Sequence, residues 1–60
     1  MDATTLRELT GLDVYETSLV EHDGATYFMG RTDDGEKRIG VAGPGCWESL
    51  DAVAQHDGKC

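Results

Sequence analysis

The chain has little of what builds a large core or a basic surface. Leu, Ile, Val and Phe together supply 11 of its 60 residues. Lysine occurs twice, at Lys37 and Lys59, and proline once, at Pro44. No apolar run approaches the ~18–20 residues that a bilayer requires, so a membrane helix is excluded. Met1-Asp2 opens without a basic stretch or an apolar segment, so no secretory signal is expected. Five Lys plus Arg face 12 Asp plus Glu, for a formal charge of -7 and a pI near 4.4. That balance argues against a free-standing basic nucleic-acid binder. The length leaves room for one core, so residues 1–60 are expected to form a single small domain.

Few apolar groups and a high charge are also the composition of disordered chains. Ordered alternation, two Asp-Gly pairs and a patterned C-terminal segment speak for a fold instead. The carboxylate excess, the scarce lysine and the abundant small residues resemble cytosolic proteins of extreme halophiles. The physical logic is screening: at about 1 M salt the Debye length shrinks to ~3 Å, and repulsion among carboxylates largely disappears. The plainer alternative is an acidic mesophilic protein whose charge serves solubility. With no secretion signal, Cys46 and Cys60 are expected as free thiols in a reducing compartment.

Residues 2–10 read as a short helix with a Thr N-cap, Leu6 and Leu9 on one face, and Gly11 as its stop. Residues 13–21 alternate and read as a strand. Asp23-Gly24 and Asp34-Gly35 then mark two hairpin turns, with further strands at 25–32 and 37–42. Two-residue turns would set Leu19 opposite Phe28 and Phe28 opposite Val41. Three-residue turns would set Tyr27 opposite Val41 and Met29 opposite Ile39. Both registers put Tyr15, Leu19, Ile39 and Val41 on one face and leave Val14 and Val20 on the other. Gly43-Pro44-Gly45 reads as a rigid break before a C-terminal helix over 46–56, with Trp47, Leu50, Val53 and Ala54 on its apolar stripe. The expected fold is α+β: a three-stranded antiparallel meander between a short N-terminal helix and a C-terminal helix, in the order α–β–β–β–α.

Chemistry-bearing residues are few. His22, Cys46, His56 and Cys60 match the ligand types of a zinc site. On the expected helix, however, Cys46 and His56 would lie ~15 Å apart, too far to share one ion. A metal or thiol site from Cys46, His56 and Cys60 is therefore an alternative in which two chains could supply the ligands together. Cys46 at a helix N-terminus would have a stabilised thiolate. Against this, Glu48 and Asp51 oppose it, and a small buried residue beside Trp47 is the plainer reading. Gly43-Pro44-Gly45 could cradle an anion, but no Lys-Ser/Thr follows it. Asp33-Asp34 could attract a cation, but a turn accounts for both. Arg31, Lys37 and Arg38 form a basic cluster at the second hairpin, surrounded by Asp33, Asp34 and Glu36. No Ser-His-Asp arrangement is defensible.

Asp23-Gly24, Tyr27-Phe28, Asp34-Gly35, Ile39 and Ser49 through Val53 together resemble the layout of the small UPF0339 domains, over about two-thirds of the chain. Gly43-Pro44-Gly45-Cys46-Trp47 stands where that layout has a Tyr-Ser type connection. The family has no settled activity, so the resemblance implies no site residue.

The function expected is a non-enzymatic interaction or regulatory module. It would be salt-adapted and cytoplasmic, with no resident cofactor, and would act as a homodimer through Val14, Val20 and Tyr27. One alternative is zinc or thiol chemistry at Cys46, His56 and Cys60. A second is accessory nucleic-acid contact through Arg31, Lys37 and Arg38. The charge carries its own test. Circular dichroism should show the fold weakening between molar KCl and millimolar buffer, and an unchanged spectrum would break the link between charge and salt requirement.

Overall fold

The computed structural model describes residues 1–51 and 57–60. A first helix, α1, spans Ala3–Thr10. Its N-cap is Asp2 rather than a threonine: the carboxylate accepts from the Thr5 backbone N–H at 2.8 Å. That backbone bond, helped by the Thr5 side chain, holds the Asp2 pKa below its ordinary value. The cap is therefore at full strength above the ordinary carboxylate range and is lost as pH falls through the depressed pKa. Gly11, in the left-handed region, ends the helix, as expected from the sequence.

Among the described residues, six strands form one antiparallel sheet. They are β1 (Asp13–Val14), β2 (Val20–His22), β3 (Ala25–Arg31), β4 (Lys37–Gly43), β5 (Cys46–Ser49) and β6 (Gly58–Lys59). The spatial order is β1-β3-β4-β5-β6, with β2 also pairing β3. The strand expected over 13–21 is broken by a 3₁₀ turn at Glu16–Ser18, so β1 and β2 lie one after the other along the same edge of β3. The Ser18 hydroxyl bridges the gap, accepting the Met29 N–H at 3.0 Å.

Both expected hairpins form, with different loops. Asp23 and Gly24, both at positive φ, make a two-residue turn that pairs His22 with Ala25. In the second, Thr32 N–H donates to the Glu36 carbonyl and encloses the three residues Asp33-Asp34-Gly35. Tyr27 is thereby paired with Val41 and Met29 with Ile39.

The expected helix does not start at Cys46, and among the described residues the chain does not follow the α–β–β–β–α order. Residues 46–49 are β5, paired with β4 from Gly43↔Cys46 to Gly40↔Ser49. Gly43-Pro44-Gly45 does not introduce a helix. Pro44 and Gly45 are the two turn residues of a third hairpin, and Gly45 supplies the positive φ (71°) that the turn needs. Cys46-Trp47-Glu48-Ser49 alternates half-buried, buried, exposed, buried, which is strand periodicity. Trp47 and Leu50, expected on one helical stripe, therefore diverge: Trp47 is buried and Leu50 is 49% exposed. Val53 and Ala54, the rest of that stripe, lie outside the described residues.

The core occupies the opposite sheet face from the one expected. Phe28, Ala42, Trp47 and Val14 point toward α1, whose Ala3 and Leu6 close over them, with Leu12 beside. Leu19 packs at the margin. Tyr15, Ile39 and Val41, expected as core with Leu19, are not part of this cluster. The reason is volume. The β4 positions facing the helix are Gly40 and Ala42, both buried and both small, so the Phe28 and Trp47 rings and the helix can settle on the sheet. A Cβ on Gly40 would stand 2.6 Å from the Phe28 ring. The two rings meet at 6.0 Å between centroids in a tilted pair, an arrangement aromatic quadrupoles favour. Arg7 joins helix to sheet by donating from Nε and Nη2 to the Val14 carbonyl, at 3.1 and 2.7 Å.

Gly40→Ala should therefore destabilise the fold by ~1–3 kcal/mol through overpacking. Gly43→Ala, with nothing within 4 Å of its added carbon, should change little. Urea unfolding of the pair checks this, and an unmoved midpoint for Gly40→Ala would contradict the ring placement.

Candidate functional site

Among the described residues, one helix covers one side of the sheet and none covers the other. Strand alternation puts Val20, Tyr27, Val41 and Glu48 in one cross-strand row of that outer face. Met29, Ile39 and Leu50 form the next row, with Leu50 N–H donating to the Ile39 carbonyl at 2.7 Å. Val20 is 60% exposed, Ile39 40% and Tyr27 39%. No concave pocket is present among the described residues, so the open surface is a broad sheet face rather than a cleft.

The charge on this face differs from that of the whole molecule. Between β2 and β5 its strand positions carry a single carboxylate, Glu48, against Arg31 and Lys37, which pair across β3 and β4. Beyond that stretch, Asp13 of β1 is paired directly with Arg31 and so adds a second carboxylate to the same face. Arg31 is fastened by donating from Nε to the Tyr15 hydroxyl and from Nη1 to the Gly35 carbonyl.

The three expected interface residues separate. Val20 and Tyr27 are direct cross-strand neighbours on the outer face. Val14 is fully buried under α1 and is no interface residue. The three-residue excursion at Glu16–Ser18 causes this: side chains alternate with period two, so an odd insertion reverses the facing of everything after it. Ile39, Val41 and Leu50 belong to the outer face but were expected in the core or on a helix. The available clue was the three-residue Asp33-Asp34-Gly35 loop, whose register aligns Tyr27 with Val41 and Met29 with Ile39.

The basic cluster also divides. Arg31 and Lys37 share the outer face. Arg38, one residue on, points to the other side and is held by Asp57 at 3.2 Å and Glu36 at 3.4 Å. Its side chain is 14% exposed, so it is committed to its own chain rather than presented to a phosphate.

The two cysteines expected to supply a metal or thiol site are paired with each other. Cys46 and Cys60 form a disulfide, with Cα atoms 4.6 Å apart, and no described cysteine is free. Cys46 is not at a helix N-terminus, and its sulfur is no thiolate. Cys60 is not a loose end. The sequence separated these residues by 14 positions, and only the β5–β6 pairing brings them together. No group of three or more His, Cys, Asp or Glu side chains among the described residues is arranged to hold a metal ion. His22 sits at the first hairpin turn, 3.2 Å from the Asp23 carboxylate. His56 lies outside the described residues. Among those residues, no helix is long and apolar enough to cross a membrane.

Comparison with protein-family models, with curated proteins and with solved structures found no match.

The bridge has a direct check. In denaturant the oxidised chain should titrate no thiol, and two after reduction. Zinc added to the oxidised protein should then bind at no cysteine. A stoichiometric complex that disappears in Cys46→Ser/Cys60→Ser would overturn the assignment.

Proposed function

We propose that this chain is a non-enzymatic interaction module whose working surface is the uncovered outer face of its sheet, and that a second copy of the chain occupies it. The observation that carries the reading is the coincidence of two properties on one surface. Val20, Tyr27, Ile39 and Leu50 expose large apolar groups there. The strand positions of that face hold Asp13 and Glu48 against Arg31 and Lys37, a balanced set on a molecule of formal charge -7. Exposed apolar patches of this kind mark association sites. A second acidic copy approaches most cheaply where carboxylates are matched by cations, and Glu48 on one copy can meet Arg31 or Lys37 on the other.

Size sets the expected strength. The body measures 29 × 21 × 16 Å. A broad face of that outline offers roughly 600 Å² per copy, below the ~800 Å² per partner of a standard stable interface. A weak dimer follows, strengthened by salt that screens the remaining repulsion. A cytoplasmic location belongs to the same proposal and rests on the acidic composition. The disulfide favours an oxidising compartment instead.

Sedimentation equilibrium in molar KCl tests the proposal. The native chain should dimerise with micromolar affinity. Ile39→Lys and Tyr27→Lys should each weaken that dimer at least tenfold while leaving the circular dichroism unchanged, because neither side chain belongs to the core. A strictly monomeric mass at millimolar concentration would sink it, as would a dimer indifferent to both substitutions.

A further inference from the structure

The sheet edge beyond β5 is closed by a strand of two residues. Trp47 pairs with Lys59 and Glu48 with Gly58, and the Ser49 N–H donates to the Asp57 carbonyl at 2.9 Å. Hydrogen-bonded and non-bonded pairs alternate along an antiparallel ladder. Ser49–Asp57 is a bonded pair, so Trp47–Lys59 is the next, and Cys46–Cys60 falls at a non-bonded position. Opposed Cα atoms approach closest at such positions, ~4.5 Å apart. The 4.6 Å between Cys46 and Cys60 matches. The disulfide thus clamps the ladder one step beyond its last paired residue.

The segment it clamps has little other hold. Gly58, Lys59 and Cys60 are all exposed, and none belongs to the core cluster. Gly58 packs backbone to backbone, where an added Cβ would stand 2.8 Å from the Trp47 carbonyl oxygen. Asp57 is different, since its carboxylate is held by Arg38. A division therefore falls between an anchored residue 57 and a strand, 58–59, whose contacts are backbone pairs and one covalent bond.

We infer that the Cys46–Cys60 bridge is a redox-operated latch on the sheet edge. Oxidised, it keeps β6 on β5. Reduced, residues 58–60 leave and the outer edge of β5 opens. The reductant is a dithiol. Its thiolate attacks the exposed Cys60 Sγ, the S–S bond breaks, and its electron pair departs on the Cys46 Sγ, which takes a proton. The second thiol of the reductant then attacks its own partner sulfur in the mixed disulfide and expels the Cys60 Sγ, which is protonated in turn. The chain gains two electrons and two protons, and the dithiol becomes a disulfide. Opening strips partners from the Trp47 N–H and C=O, and an unpaired strand edge is a template for another extended chain. The latch does not rest on the outer-face proposal, because it concerns the edge of the sheet and not its face.

Amide hydrogen exchange on the full chain tests the latch in three states: oxidised, reduced with dithiothreitol, and Cys46→Ser/Cys60→Ser. Reduction should speed exchange of the Trp47 amide at least tenfold while amides of the β3–β4 ladder change less than twofold, and reoxidation should reverse it. The double variant should show the fast Trp47 exchange and ignore dithiothreitol. An unchanged Trp47 amide on reduction would overturn the inference. So would uniform acceleration of all amides, because the bridge would then be a tie for the whole fold rather than a latch on one edge.

Discussion

The structure depends on the Phe28 ring lying on a glycine. Gly40 leaves a space that no other residue could leave, and the ring fills it from the neighbouring strand. Trp47 meets that ring as a tilted pair, and Leu6 of the helix belongs to the same buried cluster. With so few large side chains in the chain, the two aromatic rings supply much of the core volume. Small residues on the sheet are what let one eight-residue helix reach them. The same economy leaves the other face open, because the chain's described residues offer no second helix to cover it.

That asymmetry links packing to the functional proposal. A fold whose described residues supply one covering layer leaves Val20, Tyr27, Ile39 and Leu50 on a surface, and that surface is the one the proposed dimer would cover. The strand carboxylates of this face, Asp13 and Glu48, are matched by Arg31 and Lys37. A -7 chain that spread its charge evenly would have repelled any second copy from every direction. The disulfide belongs to a different part of the architecture. It does not reinforce the aromatic core but fastens the last strand, where core contacts have run out.

Local chemistry was legible in the residues. Helix α1 and its Gly11 stop follow from spacing and from a glycine that accepts a left-handed conformation. The Asp-Gly hairpins follow from turn stereochemistry, which acts over four residues and needs no distant partner. The N-cap was misplaced by a few residues because Asp2 and the threonines behind it have similar capping chemistry. Among the candidate interface residues, the adjacency of Val20 and Tyr27 on one sheet face was within reach, while the burial of Val14 was not. A three-residue excursion reverses facing without leaving a strong mark in composition.

By itself, the sequence determined an acidic chain, its first helix, its two Asp-Gly turns and the antiparallel pairing across them. The tertiary structure decided which sheet face became the core, whether residues 46–49 were helix or strand, and that Cys46 would meet Cys60. Each of those depends on contacts between residues far apart in the chain. Hydrophobicity pointed to Ile39 and Val41 as core, whereas packing chose Gly40 and Ala42, because a helix and two rings needed room more than the sheet needed bulk. Four residues of Cys-Trp-Glu-Ser satisfy either periodicity. The free edge of β4 settled the matter by offering backbone partners that an isolated helical turn would have lacked.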